Sequence, residues 1–205
     1  MIKEIIAHQS ISDIPGIGPA KAKKILDSLS SYDNDYIYSA VIKASPSVKI
    51  DVQLWHSILS KAEDKVSRML DAGVSIISYL SESYPSQLKE LSNPPINLYI
   101  DGDANSIMGG KNIAIIGTRS PGRHIENLAP NFCQYISQKA SCIVSGLAIG
   151  CDTIAHQACI STSRATAAIL PCGIDHVYPK KNVKLAEEIK ASGGCLISEY
   201  EPGIK

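Results

Sequence analysis

In the N-terminal part of the chain, apolar residues recur at the three- and four-residue spacing of amphipathic helices. The pattern is clearest over residues 51–73, which end at Gly73, a typical C-terminal stop. The positions predicted to share one face of this helix are Leu54, Ile58, Leu59, Ala62, Val66, Met69 and Leu70. The only tryptophan, Trp55, is predicted to pack against neighbouring helices. This part of the chain is therefore predicted to be all-helical.

From Lys111 onward, short apolar runs alternate with helical stretches. The runs cover residues 113–117, 142–146, 166–173 and 195–199. Their starts lie 29, 24 and 29 residues apart, which suits successive strand–helix units of a parallel sheet and predicts a doubly wound α/β fold. Asn182 is predicted to cap the helix before the last run, and Gly193 to close it.

A second pattern near the N-terminus, "ISDIPGIGPAKAKKIL" over residues 11–26, is typical of a helix–hairpin–helix. Its glycines permit a tight turn and a close approach of the backbone to a phosphate, and lysines follow in the next helix. The candidate phosphate-binding residues are Gly16, Gly18, Lys21, Lys23 and Lys24. The residues predicted to hold the two helices together are Ile14, Ile17, Ala22 and Ile25. The alternative is a hairpin that only packs, with its lysines in solvent.

These patterns together predict the fold class and the domains. A small all-α helix–hairpin–helix (SAM-like) domain over residues 1–73 precedes an α/β, Rossmann-like domain with a mostly parallel sheet over residues 74–205. Residues 74–108 combine short strands with Tyr-Pro and Pro-Pro turns and open the second domain.

Ligands of doubly wound sheets bind beyond the carboxyl ends of the strands. The segments predicted to form this rim are 117–119, 145–150, 171–173 and 198–199. Neither G-x-G-x-x-G nor the Walker pattern occurs there, so a standard nucleotide site is not expected. Arg119 can grip a phosphate bidentately, or it can pair with a rim carboxylate such as Glu199.

The residues near the rim do not assemble a catalytic set. Asp152 is interpreted as a helix cap and His156 as a packed or hydrogen-bonded histidine. Cys151 and Cys172 have no evident activating base. We therefore predict a protein that is not an enzyme and that uses no metal and no cofactor.

Charge, cysteine content and apolar runs limit the partners and the compartment that the sequence predicts. The chain carries 20 basic and 20 acidic residues, so any contact with a nucleic acid must be local. The six cysteines form no C-x-x-C pair, which favours buried thiols in a reducing, cytoplasmic compartment. No apolar run is long enough for a membrane span, and no membrane partner is expected.

Several segments resemble the DNA-processing protein A family (DprA, also called Smf), in the order seen in that family. They are "YPSQLKELSNPPINLYIDGD", "IAIIGTRSPGRHI", "IVSGLAIGCDTIAHQACI", "TAAILPCGIDHVYPKKNVKLAEEI" and "GGCLISEYEPG". The resemblance implies a Rossmann-like domain that binds single-stranded DNA, protects incoming DNA in natural transformation and helps to load the RecA recombinase. It also implies a possible homodimer, and it implies neither metal nor nucleotide.

The resemblance also implies which residues hold the DNA backbone. They are Gly117, Thr118, Arg119, Ser145, Gly146, Leu147, Ala148 and Gly150. No tyrosine falls in the rim turns, so none is predicted to stack on a base.

One departure from the family changes the expectations. Family members continue past "SEYEPG" into an Arg/Asn-rich stretch and further strands and helices, whereas this sequence stops at Lys205. We therefore expect a truncated Rossmann-like domain with an exposed sheet edge and an exposed apolar helix surface.

Two alternatives from other classes stay open. One is a nucleotide phosphoribohydrolase of the lysine-decarboxylase-like group, whose P-G-G-x-G-T-x-x-E signature is matched only by "LPCGIDHVYP", without the threonine and the glutamate. The other is an inactive, truncated remnant with a bare phosphate rim.

Overall fold

The computed structural model describes residues 2–108 and 110–205. Met1, the start of the predicted helical domain, and Gly109 lie outside the described residues. The chain forms two compact units, one ending at Leu98 and the other beginning at Tyr99. The division into functional domains at residues 73 and 74 stays a prediction.

The first unit is mainly helical. Its elements are α1 (Ile2–Ser12), α2 (Pro19–Asp27), α3 (Asn34–Ala44), α4 (Val52–Asp71), β1 (Ser75–Ser78) and the short α5 (Ser86–Lys89). Helix α4 begins where the Asp51 carboxylate accepts a hydrogen bond from the Leu54 amide at 2.7 Å. After β1, the Tyr79 amide donates to the Ile96 carbonyl at 2.8 Å.

The buried face of α4 differs from the prediction at two positions. Leu54 is 41% exposed and Leu70 is 38% exposed, whereas Trp55 is 2% exposed and lies 6.0 Å from the Tyr38 ring, centroid to centroid. One residue along a helix is a rotation of about 100°. Because the indole occupies the centre of the buried face, Leu54 is turned toward solvent.

The second unit alternates strands and helices. Its elements are β2 (Asn97–Gly102), which begins in the first unit, β3 (Asn112–Ala114), α6 (Arg123–Ser137), β4 (Cys142–Ser145), α7 (Cys151–Ser161), β5 (Thr166–Ile169), α8 (Val183–Ala191) and β6 (Cys195–Ser198). The four predicted apolar runs supply β3, β4, β5 and β6. Gly193, with φ of +79°, follows α8 as predicted.

The sheet of this unit has the order β2-β6-β5-β4-β3. Strands β3 to β6 are parallel, with Ile143 opposite Thr166 and Ala168 opposite Leu196, whereas β2 runs antiparallel to β6. A mixed α/β fold with a mostly parallel sheet is thereby confirmed. The four parallel strands follow one another in chain order, so the reversal of strand order that defines a doubly wound sheet does not occur between them.

The helices cover the sheet in the same sequence, because α6 packs on α7 and α7 packs on α8. Crossovers of one hand between strands that advance in one direction place their helices on one face of the sheet. The apolar cluster beneath α6 and α7 is formed by Cys133, Ala140, Ile143, Ala155, Ala158 and Cys159. In the part of the chain that the structure describes, no helix combines the length and apolar character needed to cross a membrane.

The second unit exposes one edge of its sheet and one apolar helix face. Strand β3 is the last strand of the sheet, so one of its edges has no strand beside it among the described residues. One face of α6 carries large apolar side chains that are 44–60% exposed, namely Ile125, Leu128, Phe132 and Tyr135.

Candidate nucleic-acid interface

The carboxyl ends of β3, β4 and β5 surround a small cavity. Its lining residues are Arg119, Gly146, Ala148, Ile149, Pro171, Tyr178 and Pro179. The structure therefore brings together three of the predicted phosphate-binding residues, Arg119, Gly146 and Ala148. Pro171 comes from a predicted rim segment, whereas Tyr178 and Pro179 come from the loop beyond it.

The size of this cavity distinguishes between ligands. Its volume is about 80 Å³, enough for a few water-sized groups and hence for a phosphate. Sites that enclose whole small-molecule ligands occupy about 300–1,000 Å³. The cavity therefore fits one phosphate group of a larger ligand better than an entire nucleotide cofactor.

Arg119 provides the positive charge of the cavity. Its side chain is exposed, and it makes no ion pair with Glu199 or with any other described carboxylate. The alternative in which Glu199 neutralises Arg119 is therefore not what the structure shows. An exposed guanidinium with all its donors available can bind an anion bidentately.

Two backbone amides of the turn 145–150 already have an anionic partner. The Gly146 and Ala148 amides donate to Oδ2 of Asp152 at 3.1 and 3.3 Å, and Asp152 is buried, with 7% of the residue exposed. The interpretation of Asp152 as the helix cap is wrong, because Gly150 is the N-cap of α7 and Asp152 lies in the first turn. Its carboxylate turns back and accepts from both amides, so their hydrogens are engaged within the protein.

The glycines of the rim are needed for close packing of the turns. Gly150 has φ of +84°, and a Cβ there would overlap the Thr118 carbonyl oxygen and lie 2.7 Å from the Arg119 carbonyl carbon. A Cβ on Gly117 would lie 2.7 Å from the Cys151 side chain. The turn that carries Arg119 is thus held against the start of α7, where the Cys151 amide donates to the Thr118 carbonyl at 3.1 Å.

Other predicted site residues lie beneath the cavity or beside it. Ser145 is buried, and its hydroxyl donates to the Ile115 carbonyl at 2.6 Å. Leu147 is fully buried at φ of +58°. The Thr118 hydroxyl accepts from the Ser120 amide at 3.2 Å and keeps its own proton to donate. Ser145 and Leu147 therefore shape the rim from below, and the binding role of all these residues stays a prediction.

Asn182 connects the loop after β5 to the turn after β4. Its side-chain amide donates to the Leu147 carbonyl at 2.8 Å and to Oγ1 of Thr153 at 2.9 Å, while Thr153 donates to the Ala148 carbonyl at 2.8 Å. Asn182 does occupy the N-cap position of α8, but its side chain makes no capping hydrogen bond. We call this network of Asn182, Thr153 and the carbonyls of Leu147 and Ala148 the rim clamp.

Tyr178 and Pro179 line the cavity but lie outside the predicted rim segments, and Tyr178 is the one with a functional side chain. It lies in the loop between β5 and α8, and it is 54% exposed. The only signal in the sequence was its place in "HVYPKKN", where an aromatic residue precedes Lys180 and Lys181. Both lysines are exposed and extend the positive charge of this side of the rim.

Two titratable side chains in the later part of α7 are held in uncharged forms. Burial lowers the pKa of His156 to about 4, and its Nδ1 lies 2.8 Å from Oγ1 of Thr166. Because the Thr166 hydroxyl donates to the Ile143 carbonyl, Nδ1 must be the protonated nitrogen. Burial also raises the pKa of Cys159 to about 11, so its thiol stays protonated at neutral pH.

The predicted hairpin is present between α1 and α2. Gly16 has φ of +86°, and Gly18 is the N-cap of α2. The four residues predicted to hold the helices together are all buried: Ile14, Ile17, Ala22 and Ile25. Lys23 is engaged elsewhere, because its Nζ lies 2.6 Å from Asp27 and 5.3 Å from the centroid of the Tyr79 ring. Lys24 is exposed, and Lys21 reaches the Gly16 carbonyl at 3.4 Å.

Comparison with known proteins accounts for this combination of sheet and rim. The sequence profile of the DNA recombination-mediator protein A family matches residues 75–205. The chain belongs to this family. Its match to the family covers β1 and the entire sheet unit, including the cavity.

Curated relatives carry the names DprA and Smf. DNA processing protein DprA of Bacillus subtilis is 34% identical over 145 residues, which cover 69% of this chain and 48% of that protein. Protein Smf of Synechocystis is 28% identical over 207 residues, which cover 95% of this chain and 50% of that protein. The chain thus spans about half the length of these curated relatives.

Two solved structures of DNA processing protein A are similar to this chain. The Streptococcus pneumoniae protein matches all of this chain and 69% of its own with a TM-score of 0.73 at 24% identity, which shows a shared fold. The Helicobacter pylori protein, whose structure concerns its single-stranded DNA binding mode, matches 64% of this chain and 58% of its own, with a TM-score of 0.54 at 30% identity.

Proposed function

We propose that this member of the DNA recombination-mediator protein A family binds single-stranded DNA without catalysing a reaction on it. The observation that carries the proposal is Arg119, an exposed guanidinium with no carboxylate partner among the described residues, at the edge of a phosphate-sized cavity. None of the residues that line this cavity is a carboxylate, a histidine or a thiol. The cavity thus offers charge and shape for a phosphate but no carboxylate, imidazole or thiol to act as acid, base or nucleophile.

The absence of a broad positive surface fits a local contact. The chain has equal numbers of basic and acidic residues, and the excess charge near the rim comes from Arg119, Lys180 and Lys181. Contacts to phosphates fix the position of a strand and carry no sequence information. We therefore infer binding that tolerates any base sequence.

The experiment is fluorescence anisotropy of a labelled single-stranded oligonucleotide at several salt concentrations, with the full chain and with Arg119→Ala. Loss of one phosphate contact lowers the slope of log K against log salt by about 0.7 for single strands. We expect Arg119→Ala to weaken binding and to reduce this slope.

Arg164→Ala is the matched control. Arg164 is an exposed arginine that precedes β5, so it lies at the amino end of the parallel strands, away from the cavity at their carboxyl ends. This variant should bind like the unsubstituted chain. Equal affinities for all three proteins would show that Arg119 does not hold the strand. Hydrolysis of a nucleoside monophosphate, sensitive to Arg119→Ala, would favour the phosphoribohydrolase alternative.

We further propose that the bound strand is incoming DNA in natural transformation, which the protein protects and passes to the RecA recombinase. The support is family membership and the proposed binding of an unpaired strand. The test is the rate at which RecA assembles on an oligonucleotide coated with single-strand binding protein. We expect RecA to assemble faster with the unsubstituted chain than with Arg119→Ala, and equal rates would contradict the loading role.

A further inference from the structure

The Tyr178 ring lies at the same cavity as Arg119 but has no partner of its own. It is 54% exposed, and among the described residues its hydroxyl makes no hydrogen bond and its ring has no aromatic or cationic neighbour. Other tyrosines are engaged: Tyr38 packs beside Trp55, and Tyr84 donates to the Pro95 carbonyl at 2.6 Å. Tyr178 therefore presents an unoccupied aromatic surface next to the proposed phosphate seat.

The backbone near this ring is connected to the backbone that carries Arg119. The rim clamp ties Asn182, four residues after Tyr178, to the turn 145–150. The same turn packs against the Arg119 backbone at Gly150, where no Cβ fits. The backbone segments that carry the guanidinium and the ring are thus tied to the same turn, although they come from loops after different strands.

We propose that Tyr178 is a stacking platform for one unpaired base of the strand whose phosphate Arg119 holds. The proposal rests on the single-strand binding proposed above and adds what selects an unpaired strand. In a single strand a base can turn out and lay its face on the ring, whereas in a duplex both faces of each base are covered by its neighbours. Stacking tolerates any base, because every base has a π-face.

The test uses the full chain and two labelled strands of equal length, one of thymidylates and one of abasic residues that keeps the phosphates without the bases. Truncation of a stacking aromatic weakens binding of each base by about 5- to 150-fold. We expect Tyr178→Ala to weaken binding to the thymidylate strand by this factor with an unchanged salt slope. On the abasic strand, Tyr178→Ala should bind like the unsubstituted chain.

Three further variants separate stacking from other roles. Tyr178→Phe keeps the ring and should retain affinity, whereas Tyr178→Leu keeps most of the bulk and should lose as much as Tyr178→Ala. Tyr135→Ala is the control, because Tyr135 is 60% exposed near the C-terminal end of α6, away from the carboxyl ends of the strands that surround the cavity. A folded Tyr178→Leu variant with undiminished affinity for thymidylates overturns the stacking role.

The outcomes also separate the stacking role of Tyr178 from the single-strand binding by Arg119 on which it rests. If the unsubstituted chain binds and Arg119→Ala does not, but all Tyr178 variants bind equally, only the stacking role fails. If Tyr178→Ala weakens binding to the abasic strand as much as to the thymidylates, Tyr178 supports the cavity and does not stack. If the unsubstituted chain binds neither strand, both proposals fall.

Discussion

At the scale of single residues, the most informative side chain is Asp152. Its carboxylate receives the Gly146 and Ala148 amides inside a turn that is otherwise shaped to hold an anion. The chain thereby fills its own backbone site, and the positive charge available to a ligand comes from the Arg119 side chain. A strand terminus followed by glycines and a helix does not by itself provide a phosphate site.

Asp152→Ala is expected to lower the free energy of unfolding by about 2–3 kcal/mol, because it leaves two buried amides without their charged acceptor. Asp152→Asn keeps one acceptor oxygen and should cost about 1 kcal/mol. Urea denaturation of both variants gives these differences. Equal stability of Asp152→Ala and the unsubstituted chain would mean that the amides do not depend on this carboxylate.

Removal of the same carboxylate should also affect the ligand. Asp152→Ala removes a negative charge near the cavity and frees two amides, so we expect it to bind a single-stranded oligonucleotide more tightly than the unsubstituted chain does. Anisotropy under conditions where the variant is folded measures the difference. Weaker binding by the folded variant would show that Asp152 shapes the rim rather than competing with the ligand.

At the scale of elements, the helix–hairpin–helix offers a second phosphate contact with a control built into its own helix. Lys24 is exposed, whereas Lys23 donates to Asp27, and this hydrogen bond raises the pKa of the Lys23 ammonium. If the hairpin contacts DNA, Lys24→Ala should reduce the salt slope by about 0.7, and Lys23→Ala should leave it unchanged.

The measurement is a salt titration of binding to an oligonucleotide long enough to reach beyond the sheet unit. Equal slopes for Lys24→Ala and the unsubstituted chain would favour the alternative in which the hairpin only packs. A smaller slope for Lys23→Ala would show that the ion pair with Asp27 opens on binding.

The elements themselves follow from local sequence, and their functional details do not. Apolar runs between glycine-containing turns predicted β3 to β6, because strand burial leaves a direct pattern along the chain. The place of Tyr178 depends on the path of a loop after β5, for which periodicity carries no signal. The roles of Asp152 and Asn182 were missed because an N-cap residue type does not reveal which amide or carbonyl its side chain reaches.

The resemblance to a family predicted which turns form the rim, but packing decides which atoms face the cavity. Arg119, Gly146 and Ala148 line it, whereas Ser145 donates to the Ile115 carbonyl beneath it. A hydroxyl at a strand end can face a ligand or join two strands, and the sequence is the same in both cases.

At the scale of the whole molecule, each compact unit encloses one histidine that burial keeps neutral. Burial lowers the pKa of both His8 and His156 to about 4 from the ordinary value of 6.5. Both nitrogens of His8 lack a hydrogen-bond partner among the described residues. Protonation of either ring therefore favours the unfolded chain.

The sign of the pH effect follows from these depressed pKa values. Between pH 6.5 and 4 the unfolded chain binds more protons than the folded one, so stability is complete above this window and is lost as the pH falls through it. Each histidine contributes at most about 1.4 kcal/mol per pH unit.

Thermal unfolding at pH 7, 6 and 5 checks this expectation, with His8→Leu as the test and His124→Ala as the control, since His124 is exposed. His8→Leu should flatten the fall in melting temperature on acidification, and His124→Ala should not. An unchanged pH dependence in His8→Leu would locate the acid-sensitive group elsewhere.

The rim clamp has a consequence for the thermodynamics of association. Asn182 and Thr153 already hold the mouth of the cavity in place in the free protein. An arriving strand then meets a surface that has little conformational freedom left to lose, so most of the ordering on complex formation falls on the nucleic acid. Affinity would depend more on the stiffness of the strand than on the adaptability of the protein.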